Sequence, residues 1–267
     1  MRTLQICIVA VITGLSVGLL NNLTRILSSG QEINMIRGRF SALRALIKVE
    51  DVLKTPKWPE KWPYSAKDFD RQDESPDTAF YDQPRLLYHI DDAAVDSLTK
   101  YYSKAIPDNA DVLDICSSWV SHYPKDKKLG KVTGLGMNEF ELSKNVQLSD
   151  FDVQDLNTNP VFPYKDNSYD VVTCVVSVDY LTRPLEVFSE IGRVLRPGGV
   201  AIMSQSNRCF PTKAIAIWLN TNDLEHIFIV GSYFHYSMKF GPPESLDISP
   251  NPGRSDPMFI IKAEAKK

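Results

Sequence analysis

Residues 169–178 read YDVVTCVVSV, an almost unbroken apolar run in the middle of the chain. A run of this kind is typical of a strand that is buried on both faces of a parallel sheet. It is followed by PLEVFSEIGRVL at 184–195, whose apolar residues recur at helical spacing, and RPGG at 196–199 is predicted to end that helix. The next residues, VAIMSQS at 200–206, predict a second strand. This order favours a right-handed crossover between parallel strands.

The same alternation continues towards both ends of the chain. A helix is predicted after Asp91-Asp92, and Pro107 is predicted to end it. Strands that alternate with helices predict an α/β fold, with helices on both faces of a mainly parallel sheet. A shorter helix is predicted at EFELSKN (139–145), and further strands are predicted at VLDI (112–115), KVTGLGM (131–137), FDVQDL (151–156) and MFIIKAEA (258–265), the last of them at an edge of the sheet.

Several short motifs in this region carry a family resemblance. They are Asp155-Leu156, Phe162-Pro163, NSYDVV at 167–172 and RVLRPGG at 193–199. In this order and at this separation they resemble the class I S-adenosylmethionine (SAM)-dependent methyltransferases of the type 11-like group, over residues 111 to 207. The segment CSSWVSHYP is also similar to uncharacterised methyltransferase-like proteins of algae and plants. The resemblance implies a Rossmann-like, doubly wound sheet, SAM as the cofactor and methyl transfer as the activity.

The resemblance also implies the place and the residues of the site. Ligands of open α/β sheets bind outside the carboxyl ends of the strands. By the family pattern, the turn after Asp114 would hold the methionine part of SAM, and Asp155 would accept a hydrogen bond from the adenine amino group. The implied cofactor-binding residues are Asp114, Cys116, Ser117, Ser118, Asn138, Asp155, Leu156, Cys174 and Val175. The implied catalytic residues are Asp179 and Tyr180, just past the predicted strand at 169–178, with His122, Arg208, His235 and Tyr236 as further candidates for contact with the acceptor.

Two positions depart from the family pattern. The turn after Asp114 contains no glycine, although Cys116 and Ser118 are small enough to follow a glycine path while their φ stays negative. Trp119 would fill space near the cofactor. Gly136 stands where an acidic residue normally holds the ribose, so Asn138 or the neighbouring Glu139 is expected to take its place. Three functions therefore remain open: a SAM-dependent methyltransferase, a catalytically inactive scaffold or binding subunit, and a protein that binds another nucleotide.

The composition narrows the function further. The 267 residues carry a net charge of -3, which argues against bulk electrostatic binding of nucleic acid. The four cysteines are scattered and indicate free thiols in a reducing compartment. Neither cysteines nor histidines form a cluster at metal-binding spacing, so no metal site is expected. The expected partner is a methyl acceptor, either a small molecule or a protein.

The amino-terminal segment predicts contact with a membrane. Residues 4–20, LQICIVAVITGLSVGLL, carry no charge and are just long enough to cross a bilayer. This run is either an uncleaved anchor, a cleaved signal or organelle-targeting peptide, or a buried helix. Basic residues follow it between 25 and 48, which places the globular part on the cytosolic, stromal or matrix side. The predicted division is an anchor or targeting segment at 1–30, a connecting region at 31–79 and a methyltransferase-like domain at 80–267.

The connecting region has two parts. Apolar residues at 36, 40, 43 and 47 recur at helical spacing among basic ones, so a basic amphipathic helix either lies on a membrane surface or packs against the domain. A repeated KWP triplet at 57–59 and 61–63 then predicts an extended connector, because two nearby prolines prevent a regular helix. Trp58 and Trp62 are expected to pack onto the domain, either across an edge of its core or over the ligand cleft.

Overall fold

A computed structural model describes residues 48–266 of the protein. The predicted hydrophobic segment at 4–20 and most of the predicted amphipathic helix lie outside the described residues. Between 48 and 266, no helix is both long enough and apolar enough to cross a membrane.

The centre of the described structure is a mixed sheet of seven strands. Its spatial order is β3-β2-β1-β4-β5-β7-β6, in which the first five strands are parallel and β7 runs antiparallel to both of its neighbours. The predicted Rossmann-like α/β fold is therefore confirmed. The strands are β1 (Val112–Ser117), β2 (Val132–Gly136), β3 (Asp150–Val153), β4 (Tyr169–Val175), β5 (Leu195–Gln205), β6 (Glu244–Asp247) and β7 (Phe259–Glu264).

The prediction that the last strand lies at an edge of the sheet is wrong. β7 lies between β5 and β6, and β6 forms the edge. The sequence of β6 is ESLD, a short and partly charged strand. Short, charged strands are common at sheet edges because they resist pairing with other chains. The same composition gives β6 no apolar alternation by which it could be predicted.

Helices cover both faces of this sheet. The predicted helix after Asp91 is confirmed, because the Asp91 carboxylate accepts a hydrogen bond from the backbone N–H of Ala94 (2.9 Å) and so caps its first turn. The helix near the carboxyl end that the pattern did not predict is buried almost all round, so it lacks the polar face that would reveal helical periodicity. The helices are α1 (Val49–Val52), α2 (Asp77–Phe80), α3 (Asp92–Ala105), α4 (Glu139–Lys144), α5 (Pro184–Val194), α6 (Ala216–Leu219) and α7 (Asp223–Tyr236).

The core has one layer on each face of the sheet. On one face, α1, α5 and α7 pack against alternate residues of the central strands, such as Ile115 and Met203. On the other face, α3 packs Leu98 and Tyr102 against Val112 and its neighbours. The crossover between β1 and β2, residues 118–131, is described throughout and contains no helix. A helix is the usual connection between parallel strands. Because this crossover has none, the turn after β1 does not lead into a helix N-terminus.

The tryptophan-containing connector lies across an edge of the core. The ring of Trp58 stacks on that of His235 with a centroid distance of 4.9 Å, and it also contacts Phe228 of α7. Trp62 meets Tyr236, also in α7, edge to face at 5.4 Å. Neither tryptophan lines the cavity at the carboxyl ends of the parallel strands. The connector is thus a strap on α7 and leaves the ligand cleft uncovered.

Candidate ligand site

A cavity of about 410 Å³ lies at the carboxyl ends of β1, β2 and β4. This is the edge of the sheet at which open α/β folds bind their ligands. Three segments enclose it: the turn at 116–122, residues 81–90, which we call the cover segment, and the loop at 207–211.

The carboxylate of Asp114 fixes the glycine-free turn. Its Oδ2 accepts hydrogen bonds from the hydroxyls of Ser117 and Ser121, both at 2.7 Å, and its Oδ1 accepts one from Thr173 at 2.9 Å. Asp114 is only 2% exposed, and this burial raises the pKa of its carboxyl to about 6, against the opposing effect of the three hydrogen bonds. Serine side chains bound to one buried carboxylate therefore hold the turn in its conformation.

The backbone of the turn does contain a left-handed residue. Cys116 has a φ of 51°, so the condition under which a non-glycine residue could easily follow a glycine path here, a negative φ, is not met. The pairing of β1 with β2 shifts at this residue, and the strand continues beyond it to Ser117. Three of the six non-glycine residues with positive φ between 48 and 266, namely Cys116, His122 and Val176, line the cavity. Such conformations cost about 1–3 kcal/mol each and cluster at functional sites.

The end of β2 has no room for the acidic residue of the family pattern. A Cβ at Gly136 would lie 2.1 Å from the carbonyl oxygen of Ser117. Asn138 lines the cavity, but its amide caps α4 and donates to the carbonyls of Tyr81 (2.7 Å) and Asp82 (3.0 Å). Asn138 therefore attaches the cover segment to α4.

Of the acidic residues in α4, Glu141 rather than Glu139 lines the cavity. Glu139 is exposed to solvent. Glu141 accepts hydrogen bonds from the hydroxyl of Ser118 (2.5 Å) and the backbone N–H of Arg85 (2.6 Å). It thereby joins the turn after β1 to the cover segment.

Asp155 and Leu156 lie together at the other end of the cavity. The Asp155 carboxylate accepts hydrogen bonds from the backbone N–H of Asn157 (2.9 Å) and from the hydroxyl of Thr158 (2.6 Å). It therefore caps its own turn. A carboxylate has about four acceptor positions, so capacity remains for a ligand.

The residues at the end of β4 divide between the cavity and the core. Val175 lines the cavity, whereas Cys174 is fully buried beneath it. A hydrogen bond with the Cys116 thiol, together with burial, raises the pKa of Cys174 well above its usual range. The two cysteines and Cys209 are free thiols.

Of the two implied catalytic residues, Asp179 and Tyr180, only one lines the cavity. Tyr180 lines the cavity, and its hydroxyl accepts a hydrogen bond from the backbone N–H of Phe210 (2.7 Å). Asp179 is 2% exposed and does not line the cavity, and burial raises the pKa of its carboxyl to about 8. Its Oδ2 has no hydrogen-bond partner within residues 48–266. Of the pair, only Tyr180 can meet a ligand directly.

Of the four further candidates for contact with the acceptor, two line the cavity and two do not. His122 lines the cavity, is 9% exposed and packs against the ring of Tyr88. Burial lowers the pKa of His122 to about 4, and its Nδ1 has no hydrogen-bond partner in the described part of the chain. Arg208 lines the cavity and pairs with Asp256 (3.4 Å). His235 and Tyr236 lie beneath the strap, away from the cavity.

Trp119 forms part of the cavity wall. Its indole N–H donates to the carbonyl of Leu87 at 3.2 Å, and its ring stacks on that of Tyr88 with a centroid distance of 5.1 Å. Both partners belong to the cover segment. The indole thus holds the cover segment in place while the cavity beside it stays open.

The sequence pattern missed the cover segment. The helical pattern of this region begins only at Ile90, so nothing in the sequence placed Arg85, Tyr88 or His89 in the wall of the cavity. A weak signal was present in the run Leu86-Leu87-Tyr88, whose three apolar side chains remain exposed in the fold. Exposed apolar runs commonly mark binding surfaces.

Comparison with known proteins gives one family match and several structural similarities. Residues 115–203 match a family described as "Methyltransferase domain". Among solved structures, the [4+2]-cyclase SpnF is 15% identical, with a TM-score of 0.50 over 71% of this chain and 91% of that one. A SAM-dependent methyltransferase from Aquifex aeolicus is 17% identical, with a TM-score of 0.46 over 71% and 97% of the two chains. A putative SAM-dependent methyltransferase from Listeria monocytogenes is 13% identical, with a TM-score of 0.49 over 66% and 100%.

No curated protein matches the chain at a significant level. At 15% identity, the similarity to SpnF shows the fold alone. Residues 115–203 thus match a methyltransferase domain, and they lie on a Rossmann-like α/β fold. The similarity to algal and plant proteins stays a prediction.

Proposed function

We propose that the protein is a SAM-dependent methyltransferase that is held at a membrane by residues 4–20. The observation that carries the proposal is the open cavity between the turn after β1 and Asp155. It lies where the class I methyltransferase fold is expected to bind its cofactor. Its volume of about 410 Å³ lies within the range of roughly 300–1,000 Å³ that is typical of small-molecule sites. The membrane attachment is supported by the charge-free sequence of residues 4–20.

The residues present fit SAM better at its adenine end than at its ribose. Asp155 retains acceptor capacity, and Leu156 lies beside it. At the ribose position, Gly136 has no side chain and Asn138 is already engaged with the cover segment. We therefore expect this protein to bind SAM more weakly than a relative with an intact glycine turn.

The chain's own residues would position the acceptor and exclude water. SAM supplies an electrophilic methyl group, which the acceptor takes by an in-line displacement. In a displacement of this kind, positioning of the two reactants accounts for most of the rate enhancement. Tyr88 and Trp119 form an aromatic wall that covers the cavity. His122 and Tyr180 line the same cavity, so a neutral imidazole and a phenol stand where a hydroxyl or amine of the acceptor would meet them. Asp179 would act only through Tyr180, because it does not reach the cavity.

A second candidate function is that of a catalytically inactive binding or scaffold subunit. It is favoured by the fact that Asp114, Asn138 and Asp155 all make hydrogen bonds within the protein. The absence of a helix at 118–131 also removes the helix N-terminus at which such folds commonly bind an anionic group. A similar fold also occurs in a [4+2]-cyclase, so the fold alone does not establish methyl transfer.

Thermal unfolding of the full chain with S-adenosylhomocysteine distinguishes the two functions. A ligand that binds only the native state at about 100 times its dissociation constant raises the unfolding free energy by roughly 2.7 kcal/mol. For a domain of this size, that rise shifts the melting temperature by several degrees. The control is the double variant Trp119→Thr/Val120→Gly. A wild-type curve that millimolar ligand leaves unmoved, beside a variant that responds, would favour the scaffold function.

A further inference from the structure

Arg85 is held in a fixed position in the wall of the cavity. Its guanidinium lies 4.7 Å from the ring centroid of Phe80 and 5.3 Å from that of Phe210. One of its terminal nitrogens donates to the carbonyl oxygen of Phe80 at 3.1 Å. Two aromatic faces and one hydrogen bond therefore orient the guanidinium before any ligand binds.

Within residues 48–266, no carboxylate forms an ion pair with this guanidinium. The other arginine of the cavity, Arg208, pairs with Asp256, and the nearby Arg71 is paired with Asp77. The side chain of Glu141, the nearest acidic residue of α4, is occupied by the backbone N–H of Arg85 and by Ser118. A guanidinium has five N–H donors, and the described contacts of Arg85 use one of them. A partly buried cation with spare donors is suited to an anion from outside the chain.

The surroundings of Arg85 place such an anion at the acceptor end of the cavity. The Phe210 ring that packs on the guanidinium lies 6.0 Å from the ring of Tyr180 and 5.2 Å from that of His89. By the family pattern, the amino-acid end of the cofactor belongs instead at the turn after Asp114. The two positions would then receive different ligand groups.

The neighbouring wall is apolar. Leu87 and Tyr88 follow Arg85 in the cover segment, line the cavity and are still 58% and 44% exposed. Trp119 and Val120 line the cavity from the turn after β1. A ligand that contacts Arg85 would thus lay its remaining atoms against aliphatic and aromatic side chains.

We propose that Arg85 binds an anionic group of the methyl acceptor, and that the acceptor is an acid, either a carboxylate or a phosphate ester, with an apolar body. The assignment of this ligand as the acceptor rests on the proposed methyltransferase function. The anion site itself does not.

Equilibrium binding of matched small probes to the full chain tests the proposal. Hexanoate and hexyl phosphate carry an anion, whereas hexanol has the same apolar body without one. Because a charge-assisted hydrogen bond is worth about 1.5–3 kcal/mol, we expect at least one of the two anions to bind on the order of tenfold or more tightly than hexanol. The anion that binds more tightly shows whether the acceptor carries a carboxylate or a phosphate ester. Equal binding of all three probes would overturn the proposal.

Substitutions then assign the preference to Arg85. Arg85→Met keeps much of the packing without the charge and should abolish the preference, while Arg85→Lys should retain part of it. Arg208→Met is the control, because Arg208 lines the same cavity but already has a carboxylate partner. It should leave the preference unchanged. A preference that survives in folded Arg85→Met, as judged by an unchanged melting curve, would contradict the proposal. If that variant does not fold, Arg85→Gln takes its place.

A second pair of ligands separates the acceptor from the cofactor. S-adenosylhomocysteine carries a carboxylate, and methylthioadenosine lacks the amino-acid part that bears it. We expect Arg85→Met to leave the affinities for both unchanged. A loss of affinity for S-adenosylhomocysteine alone would mean that Arg85 holds the cofactor, and the acceptor assignment would fall. If neither adenosine compound binds the wild type, the methyltransferase function fails while the anion preference of Arg85 is still measurable.

Discussion

Gly136 faces the carbonyl oxygen of Ser117 so closely that a Cβ at residue 136 would lie only 2.1 Å from that oxygen. The contact arises because β1 bulges at Cys116 and continues to Ser117, which pairs with Gly136. A strand extended in this way needs a glycine opposite its last residue. The bulge at the start of the glycine-free turn therefore explains why residue 136 is a glycine and not the acid that holds the ribose in the family pattern.

Gly136→Ala should consequently destabilise the protein. Overpacking at a site that is closed by backbone costs about 1–3 kcal/mol, and Ser117 cannot move without disturbing its hydrogen bond to Asp114. The matched control is Gly241→Ala, where the added Cβ would lie 3.8 Å from the Glu264 carbonyl, an ordinary contact. Urea unfolding of both variants measures the difference. Equal midpoints would show that β1 and β2 adapt to a side chain.

The stacking of Trp119 on Tyr88 should control the mobility of the cover segment. An aromatic pair contributes about 0.5–1.5 kcal/mol, so Trp119→Ala should speed hydrogen exchange in residues 81–90 by roughly two- to tenfold. Trp119→Phe keeps a ring but loses the hydrogen bond to Leu87, and it should have a smaller effect. Exchange mass spectrometry reads that segment directly. Unchanged exchange in Trp119→Ala would mean that other contacts hold the cover segment.

Asp179 should make stability fall as the pH rises. Burial raises the pKa of its carboxyl to about 8 in the folded protein, against about 4 in an unfolded chain. The folded state therefore binds more protons between these values, and the stabilisation present below about pH 4 is lost as the pH rises through about 8. Asp179→Asn cannot ionise, so it should be more stable than the wild type at pH 8.5 and close to it at pH 4.5. Parallel urea curves whose separation does not change with pH would contradict this assignment.

The sequence predicted those parts of the fold that have a simple local pattern. The buried run at 169–178 and the helix that follows it were correctly predicted, because strands and helices inside an α/β sheet have clear apolar periodicity. α7 and β6 were missed for opposite reasons, since one is apolar all round and the other is short and polar.

The site was harder to predict than the fold. Asp114 and Asp155 both line the cavity, but their hydrogen-bond partners are side chains several residues away along the chain. The positive φ of Cys116 could not be read from its residue type, because the strain is imposed by the pairing of β1 with β2. The cover segment owes its position to long-range contacts, such as the bond from Asn138 to Tyr81, which no local pattern reveals.

The membrane attachment is tested on the full chain. Because residues 4–20 carry no charge, we expect the protein to stay with membranes after washing at high pH with carbonate, which removes peripheral proteins. Deletion of residues 1–30 should release it. The matched control replaces residues 4–20 by an unrelated apolar sequence of equal length, which should restore attachment. Full-length protein that is recovered in the supernatant would contradict the proposed anchor.

The central claim is that the cavity beside Asp155 binds the cofactor, and titration calorimetry of the full chain with S-adenosylhomocysteine tests it most directly. Removal of a hydrogen bond to a charged group costs about 1.5–3 kcal/mol, so Asp155→Ala should weaken binding by roughly tenfold to a hundredfold. Thr158→Val is the control, because it removes the hydroxyl that donates to Asp155 (2.6 Å) while leaving the carboxylate for adenine. It should lower stability by about 1 kcal/mol and leave the affinity within about twofold. Wild-type protein that shows no binding heat at millimolar ligand, or an Asp155→Ala variant that binds as well as the wild type, would contradict the account.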